Sequence, residues 1–436
     1  MRLRPRELAV AAVIVLLPFG YVSVPGLGMS LLFVAMAAPA ALAVRAVVMG
    51  EEVIPASVVL LGLGLGVVSG LLSLAAGVDP DGAVPLVVIS LLTVGYAVGI
   101  ALAYRPGLER AALDLLVVVG GVIAGMALAS AGSLEAVEGG SVISGRLTGP
   151  FAQPNELGMA CAALLPVAVV CLVTAESRRL VIVLGVATSA LVMAWAMSMS
   201  RGAWIGGIAS LVCLAICEPR TRRALSGIGA ALAATCVIAV LAPRNTALLG
   251  VIGARLDSLG DPTQNQYDAR PQIWEEAWRQ ATERPWFGVG PGGFPVAATD
   301  SASAVSSYDA DHPHNLLLTI LAERGTIGLA VGVLVVAGCV LAIRRHVLAD
   351  TSFNAVAASL RSRSVAVVAG LVAVAVHCMF DMPLRNPIVS ALVWTLLGMA
   401  VVAETAGRLH ETRAVPGTPG PRRPSLTREH EMSTTW

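Results

Sequence analysis

Apolar and polar positions fall in long blocks along this chain. Twelve mostly apolar runs, at about 8–24, 27–48, 53–75, 84–103, 111–131, 155–175, 180–198, 202–217, 225–242, 326–343, 365–380 and 387–407, are separated by short polar turns. About 20 apolar residues in helical conformation cross a bilayer, so the pattern predicts an all-α polytopic membrane protein with about twelve transmembrane helices. One polar interval is much longer than the rest. Residues 243–312 hold Trp274, Trp278 and Trp286 and close on His312-Pro313-His314-Asn315. A loop of that size between spans is uncommon unless it is functional or disordered, and its tryptophans and helical pattern argue for a folded element.

The expected organisation is nine spans over 1–242, an extracytoplasmic loop insertion with short helices over 243–325, three spans over 326–408, and a disordered cytoplasmic tail over 409–436. Within the insertion, Pro271 suits a first helical position because its missing N–H costs nothing there, and a helix to Glu283 follows. A second helix is expected from His314 to Glu323, its N–H groups and positive dipole end facing whatever binds near His314. The run Gly288-Val289-Gly290-Pro291-Gly292-Gly293 has no Gly-Lys-Ser/Thr and no preceding strand, so it reads as a flexible turn rather than a phosphate loop.

Composition agrees with a membrane chain. Hydrophobic residues make up 56% and charged residues 13% of 436 positions, against roughly a quarter charged in soluble domains. Net charge is +1, which implies no nucleic-acid partner. All 29 basic residues are arginine. With both termini inside, twenty of them fall on the inner side and nine outside, as the positive-inside rule requires. That topology places the active site on the extracytoplasmic side of the cytoplasmic (inner) membrane, away from nucleotides. The first run resembles a signal peptide, but no small-residue cleavage site follows, so it is expected to stay as a helix. The seven cysteines fall in predicted helices and suggest buried apolar roles.

The candidate chemistry gathers on the outer face. Arg146 and Arg201 sit between apolar runs, and ionisable residues in such positions are functional candidates. Arg270 sits immediately before the Trp-bearing helix. Guanidinium forks bind phosphate oxygens, so an external arginine cluster calls for an anion. His314 is a base suited to neutral pH. His312 and His314, two apart around Pro313, give only part of a coordination set, so neither a metal nor any other cofactor is expected.

These segments resemble the O-antigen ligase and polymerase family of polytopic glycosyltransferases. The matching pieces are Gly145-Arg146-Leu147-Thr148-Gly149-Pro150-Phe151 leading to Pro154-Asn155-Glu156-Leu157-Gly158, and Ser200-Arg201-Gly202-Ala203-Trp204. Then come Arg270 with Trp274, and Arg284-Pro285-Trp286-Phe287-Gly288-Val289-Gly290. Last are His312-Pro313-His314-Asn315-Leu316 with Glu323 and Gly325, and Asp381 with Pro383. Together they cover about 145–390, leaving the first five helices without a family signature.

The resemblance implies transfer of a glycan from undecaprenyl diphosphate to an acceptor hydroxyl, in a ligase the lipid A core. It implies that Arg201 and Arg270, with Arg146, hold the donor diphosphate and that His314 acts at the acceptor. Asp381, Asn155, Asn315 and Glu323 are expected to support them. The partners are then a lipid-linked glycan, a lipid or glycan acceptor and membrane lipids. A polymerase or a protein O-glycosyltransferase of the same family is an alternative. A transporter is an alternative of another class, and it would need charges lining mid-helix positions.

Overall fold

The computed structural model describes residues 3–104, 108–130, 135–138, 141–144, 146–230, 269–301, 303, 305, 310–348 and 355–414. Its helices are α1 (Pro5–Leu16), α2 (Leu31–Val48), α3 (Val58–Ala76), α4 (Pro80–Ala103), α5 (Leu108–Ala129), α6 (Pro154–Val173), α7 (Arg178–Met197), α8 (Arg201–Cys217), α9 (Arg270–Glu283), α10 (Phe294–Asp300), α11 (Leu316–Leu348), α12 (Ala355–His377) and α13 (Pro387–Ala414). The protein is an all-α, multi-pass membrane protein. Among the described residues nine helices are long and apolar enough to cross a bilayer: α2 to α7, and within α11, α12 and α13.

The difference from twelve predicted spans has specific causes. The first run is cut short: α1 has 12 residues, roughly 18 Å, and a 3₁₀ turn at Leu17–Phe19 ends it around Pro18. An antiparallel pair, Ser23–Val24 with Met29–Ser30, follows. The eighth run gives α8, 17 residues long, which meets helix Pro219–Ala230 at 115°; only that bent pair together qualifies as a span. Most of the ninth run, and the tail beyond 414, lie outside the described residues, as do Arg244 and Arg255. Helix α13 continues through 409–414, where a tail was expected. A second two-stranded hairpin, Glu135–Glu138 with Ser141–Ser144, also escapes the helical pattern.

Local sequence explains the helix starts. Ser30, Ser57, Asp79, Ser177 and Ser200 each accept a backbone N–H of the first turn with their side chains, satisfying donors that have no partner within the helix. Buried Glu404 of α13 adds to the cap of α3, accepting from Ser57 Oγ at 2.6 Å and Val58 N at 3.1 Å. Helix α6 is the centre of the bundle: Leu157, Met159, Leu164 and Val169 are almost fully buried, with α5, α7, α8 and α12 packed around it. Toward the lipid, α7 and α8 present Ile182, Val186, Ile205 and Ile216.

Helix α11 was expected as two pieces, an external helix and a span beginning at 326. It is one 33-residue helix broken only at Gly325, where φ is 64° and ψ −165°. The carbonyls freed by that kink are taken up by the glycine run. Val289 N donates to Ala322 O at 2.8 Å and Gly290 N to Glu323 O at 3.1 Å, while Thr326 N returns to Pro285 O at 2.8 Å. From the other side Val78 N donates to Val289 O at 2.9 Å and Arg284 to Ala76 O at 3.0 Å. The glycines are there for closeness of approach: a Cβ on Gly288 would stand 2.4 Å from Ala322 O, at a φ of +69°. The segment is a packed strap, not a flexible turn, because a broken helix leaves backbone groups that must be paired when buried.

Candidate active site

The strap and the kink hold α9 and the upper turns of α11 over the ends of α6, α8 and α12. Ile273 and Ala277 of α9 pack with Phe294, Val305 and Ala322 in a small core of their own. Trp274 is half-buried and its indole N–H donates to Pro313 O at 3.0 Å, which fixes the His312-Pro313-His314 loop against α9. Trp278, one turn further on, is 58% exposed.

Helix α11 begins at Leu316, two residues later than expected. Asn315 is its cap: its Oδ1 accepts Leu318 N at 3.1 Å and its Nδ2 donates to Met379 O at 2.9 Å. His314 therefore stands just outside the helix, with φ at +53°. Met199, preceding Ser200 and Arg201, has φ +51°. Among the described residues these are the two non-glycine positions in the left-handed region. Each conformation costs about 1–2 kcal/mol, and such strain persists where surrounding contacts over-determine it.

What determines His314 is a hydrogen-bonded chain through four segments. Arg146 is buried, and its Nε donates to Ser198 O at 3.2 Å while Nη2 donates to Asn155 Oδ1 at 2.9 Å. Asn155 Nδ2 donates to Asp381 Oδ2 at 2.8 Å. Asp381 Oδ1 pairs with His314 Nδ1 at 3.0 Å and accepts Met382 N at 2.8 Å. Burial alone would raise the Asp381 carboxyl. The hydrogen bond and charge of His314, together with His377 and Asn155, outweigh it and hold the carboxyl well below the usual carboxylate range. An ionised Asp381 at Nδ1 favours the tautomer with its proton there, leaving Nε2 of His314 as the basic nitrogen.

The other anticipated residues lie around this chain. Arg201 is the first residue of α8 and Arg270 the first of α9. Gly202 packs on His377, a fully buried residue that ends α12, and His377 lies within electrostatic reach of both Asp381 and Arg270. Glu323 is buried two turns below Asn315 and meets Arg385 at 3.4 Å.

Three participants were not anticipated. Arg385 joins Glu323 to Asp311, which it holds at 2.8 Å. Asp311 in turn pairs with His312 Nδ1. His377 stands one helical turn before Asp381, and that spacing was the available signal for it. Arg385 carried no such signal beyond its place near Asp381.

The fold also completes a ligand set that the sequence showed only in part. His312, His314 and Asp381 each bring one potential ligand atom within 4.8 Å of the others. The two imidazole rings have centroids 4.3 Å apart, tilted by 42°.

Against known families, residues 184–333 match the family model described as O-antigen ligase, about a third of the chain. The match runs from α7 through the kink of α11 and contains Arg201, Arg270, His312, His314, Asn315 and Glu323; Arg146, Asn155 and Asp381 flank it. No curated protein matches the chain. Residues 184–333 of this chain are thus similar to the O-antigen ligase family.

Proposed function

We propose that the chain moves a glycan from a polyprenyl-diphosphate carrier, undecaprenyl diphosphate, to an acceptor hydroxyl, as a ligase acting on the lipid A core. The observation that carries this is the chain Arg146–Asn155–Asp381–His314, with Arg201 and Arg270 opening the two helices beside it. His314 Nε2 takes the proton of the acceptor hydroxyl as its oxygen bonds to the anomeric carbon. The bond to the diphosphate breaks, and its electron pair leaves on phosphate oxygen. Attack from the opposite face inverts that centre.

Because the leaving group is already a diphosphate, no protein acid is required. What lowers the barrier is fixed positive charge where phosphate charge builds, for which one preorganised donor is worth roughly 3–4 kcal/mol. Arg201, Arg270 and Arg146 supply that charge. Asp381 keeps the His314 tautomer, and Asn315 and Glu323 hold the loop that carries it. The polyprenyl tail lies along the apolar helix faces. The site faces the extracytoplasmic side of the cytoplasmic membrane, with both termini in the cytoplasm.

The test is glycan analysis of a strain lacking the gene, complemented with wild type, His314→Ala or Arg201→Ala. Long polymer accumulating on the lipid carrier is the expected result. A single repeat transferred to the acceptor would instead indicate a polymerase. Normal surface glycan with either variant at wild-type abundance would remove the catalytic assignment.

A further inference from the structure

His312 takes no part in the transfer proposed above, yet it is built into the site with care. Its residue surface is 8% exposed. Its Nδ1 is tied to Asp311, and Arg385 holds Asp311 from the other side. Its Nε2 is buried with no hydrogen-bonding partner among the described residues. The ring lies against that of His314, whose Nδ1 is likewise on a carboxylate, that of Asp381. His312, His314 and Asp381 each bring a potential ligand atom within 4.8 Å of the others, and among them Nε2 of His312 is a buried ring nitrogen left unsatisfied.

We propose that His312, His314 and Asp381 bind a divalent transition metal of the zinc type, and that occupancy by the ion closes the transfer site. The donor set selects the metal. Imidazole nitrogen suits zinc and its neighbours, whereas magnesium and calcium prefer oxygen ligands in larger number. Three protein ligands leave one position for water. Asp311 on the far nitrogen of His312 is the outer contact that fixes the orientation and raises the basicity of a ligating histidine. The ion takes the place of the proton between His314 Nδ1 and Asp381; that proton moves to Nε2 of His314, which can then no longer accept one from a hydroxyl. The site is thus inhibitory rather than catalytic, and it does not depend on which glycan or acceptor is used.

The experiment uses the full-length protein purified in detergent, dialysed against micromolar Zn²⁺ with excess Mg²⁺, followed by metal quantification. One zinc per chain is expected for the wild type. His312→Gln and His314→Asn are each expected to weaken binding at least about tenfold, as loss of even an outer-shell partner does. Size-exclusion elution as a monodisperse species establishes that each variant folds, and the visible absorption of bound Co²⁺ gives an independent reading of the ligand set. No zinc retained by the wild type, or zinc retained by the variants as tightly as by the wild type, overturns the site. Zinc is also expected to stop wild-type transfer reversibly, with activity restored by a chelator; zinc bound without inhibition overturns the inhibitory role. Because zinc is counted directly, failure here leaves the transfer proposal standing, and failure of transfer leaves this site to be judged on the metal alone.

Discussion

Asn155 donates to Asp381 across 2.8 Å, joining the first turn of α6 to the loop between α12 and α13, 226 positions away in sequence. Its carbonyl oxygen at the same time accepts from buried Arg146. One neutral amide thus separates a buried cation from a buried anion and satisfies both. Removing either partner of such an arrangement leaves an uncompensated polar group, which costs about 1–3 kcal/mol.

Asn155→Ala is therefore expected to lower transfer by roughly ten- to hundredfold, with KM for the donor less affected than kcat. Asn155→Gln, which keeps the amide, should recover part of the loss. Steady-state kinetics on the purified protein tests this, and equal activity of Ala and wild type would detach Asn155 from the site.

Asp381→Asn keeps the shape of the side chain but removes the charge that fixes the His314 tautomer. Transfer should fall by about 10²- to 10⁴-fold, the range for loss of general base assistance, and His314→Ala should fall comparably. The double variant should be no worse than the weaker single, because the two residues act as one unit.

The backbone at His314 predicts a separation between stability and activity. At φ +53° glycine relieves strain that alanine retains. His314→Gly and His314→Ala should lose transfer activity to the same extent, while the glycine variant melts higher, by the equivalent of roughly 1 kcal/mol.

Gly288→Ala should be poorly tolerated. Its Cβ would stand 2.4 Å from two backbone atoms of α11 at a φ of +69°, and neither neighbour is a flexible side chain. Gly64→Ala, with nothing within 4 Å of the new atom, is the matched control. Quantifying membrane-inserted protein for the two variants distinguishes a packed strap from a flexible turn, which would accept both.

Glu276 gives the pH prediction. Burial raises its carboxyl, but hydrogen bonds from Arg279 and Gln280 prevail and hold it below the ordinary 4.5. A depressed carboxyl contributes stability above its unfolded value and loses it as pH falls toward the folded one. The melting difference between wild type and Glu276→Gln should be constant from neutral pH down to about 5 and shrink below that. A difference that grew with acidification would contradict the sign.

The order of the spanning helices was readable because apolar blocks of bilayer length leave few alternatives. The run at 8–24 misled because its apolar character continues past Pro18, where the helix does not. The start of α11 was placed at His314 rather than Leu316 because apolar periodicity marks the helix but not the cap, and Asn315 outcompetes its neighbour for that position. In the site, Arg146 and Arg201 stood out as charged residues between apolar runs, and Arg270 and His314 as residues placed at the starts of helices in the one long polar interval. Nothing in one sequence could show that Asn155 spans the gap between Arg146 and Asp381, or that Arg385 reaches back to Asp311. Those pairings are set by how α6, α12 and α13 meet. The glycine run was misread for a related reason, since a run of glycines looks the same whether it is loose or pressed against a broken helix.

That broken helix has a mechanical consequence. Because the Pro285–Gly290 backbone is bonded to α11 on both sides of Gly325 and to the α3–α4 turn behind it, α9 cannot tilt independently of a helix that crosses the membrane. A change in the angle of the outer half of α11 would carry Trp274, and with it the Pro313 peptide beside His314, as a lever carries its load.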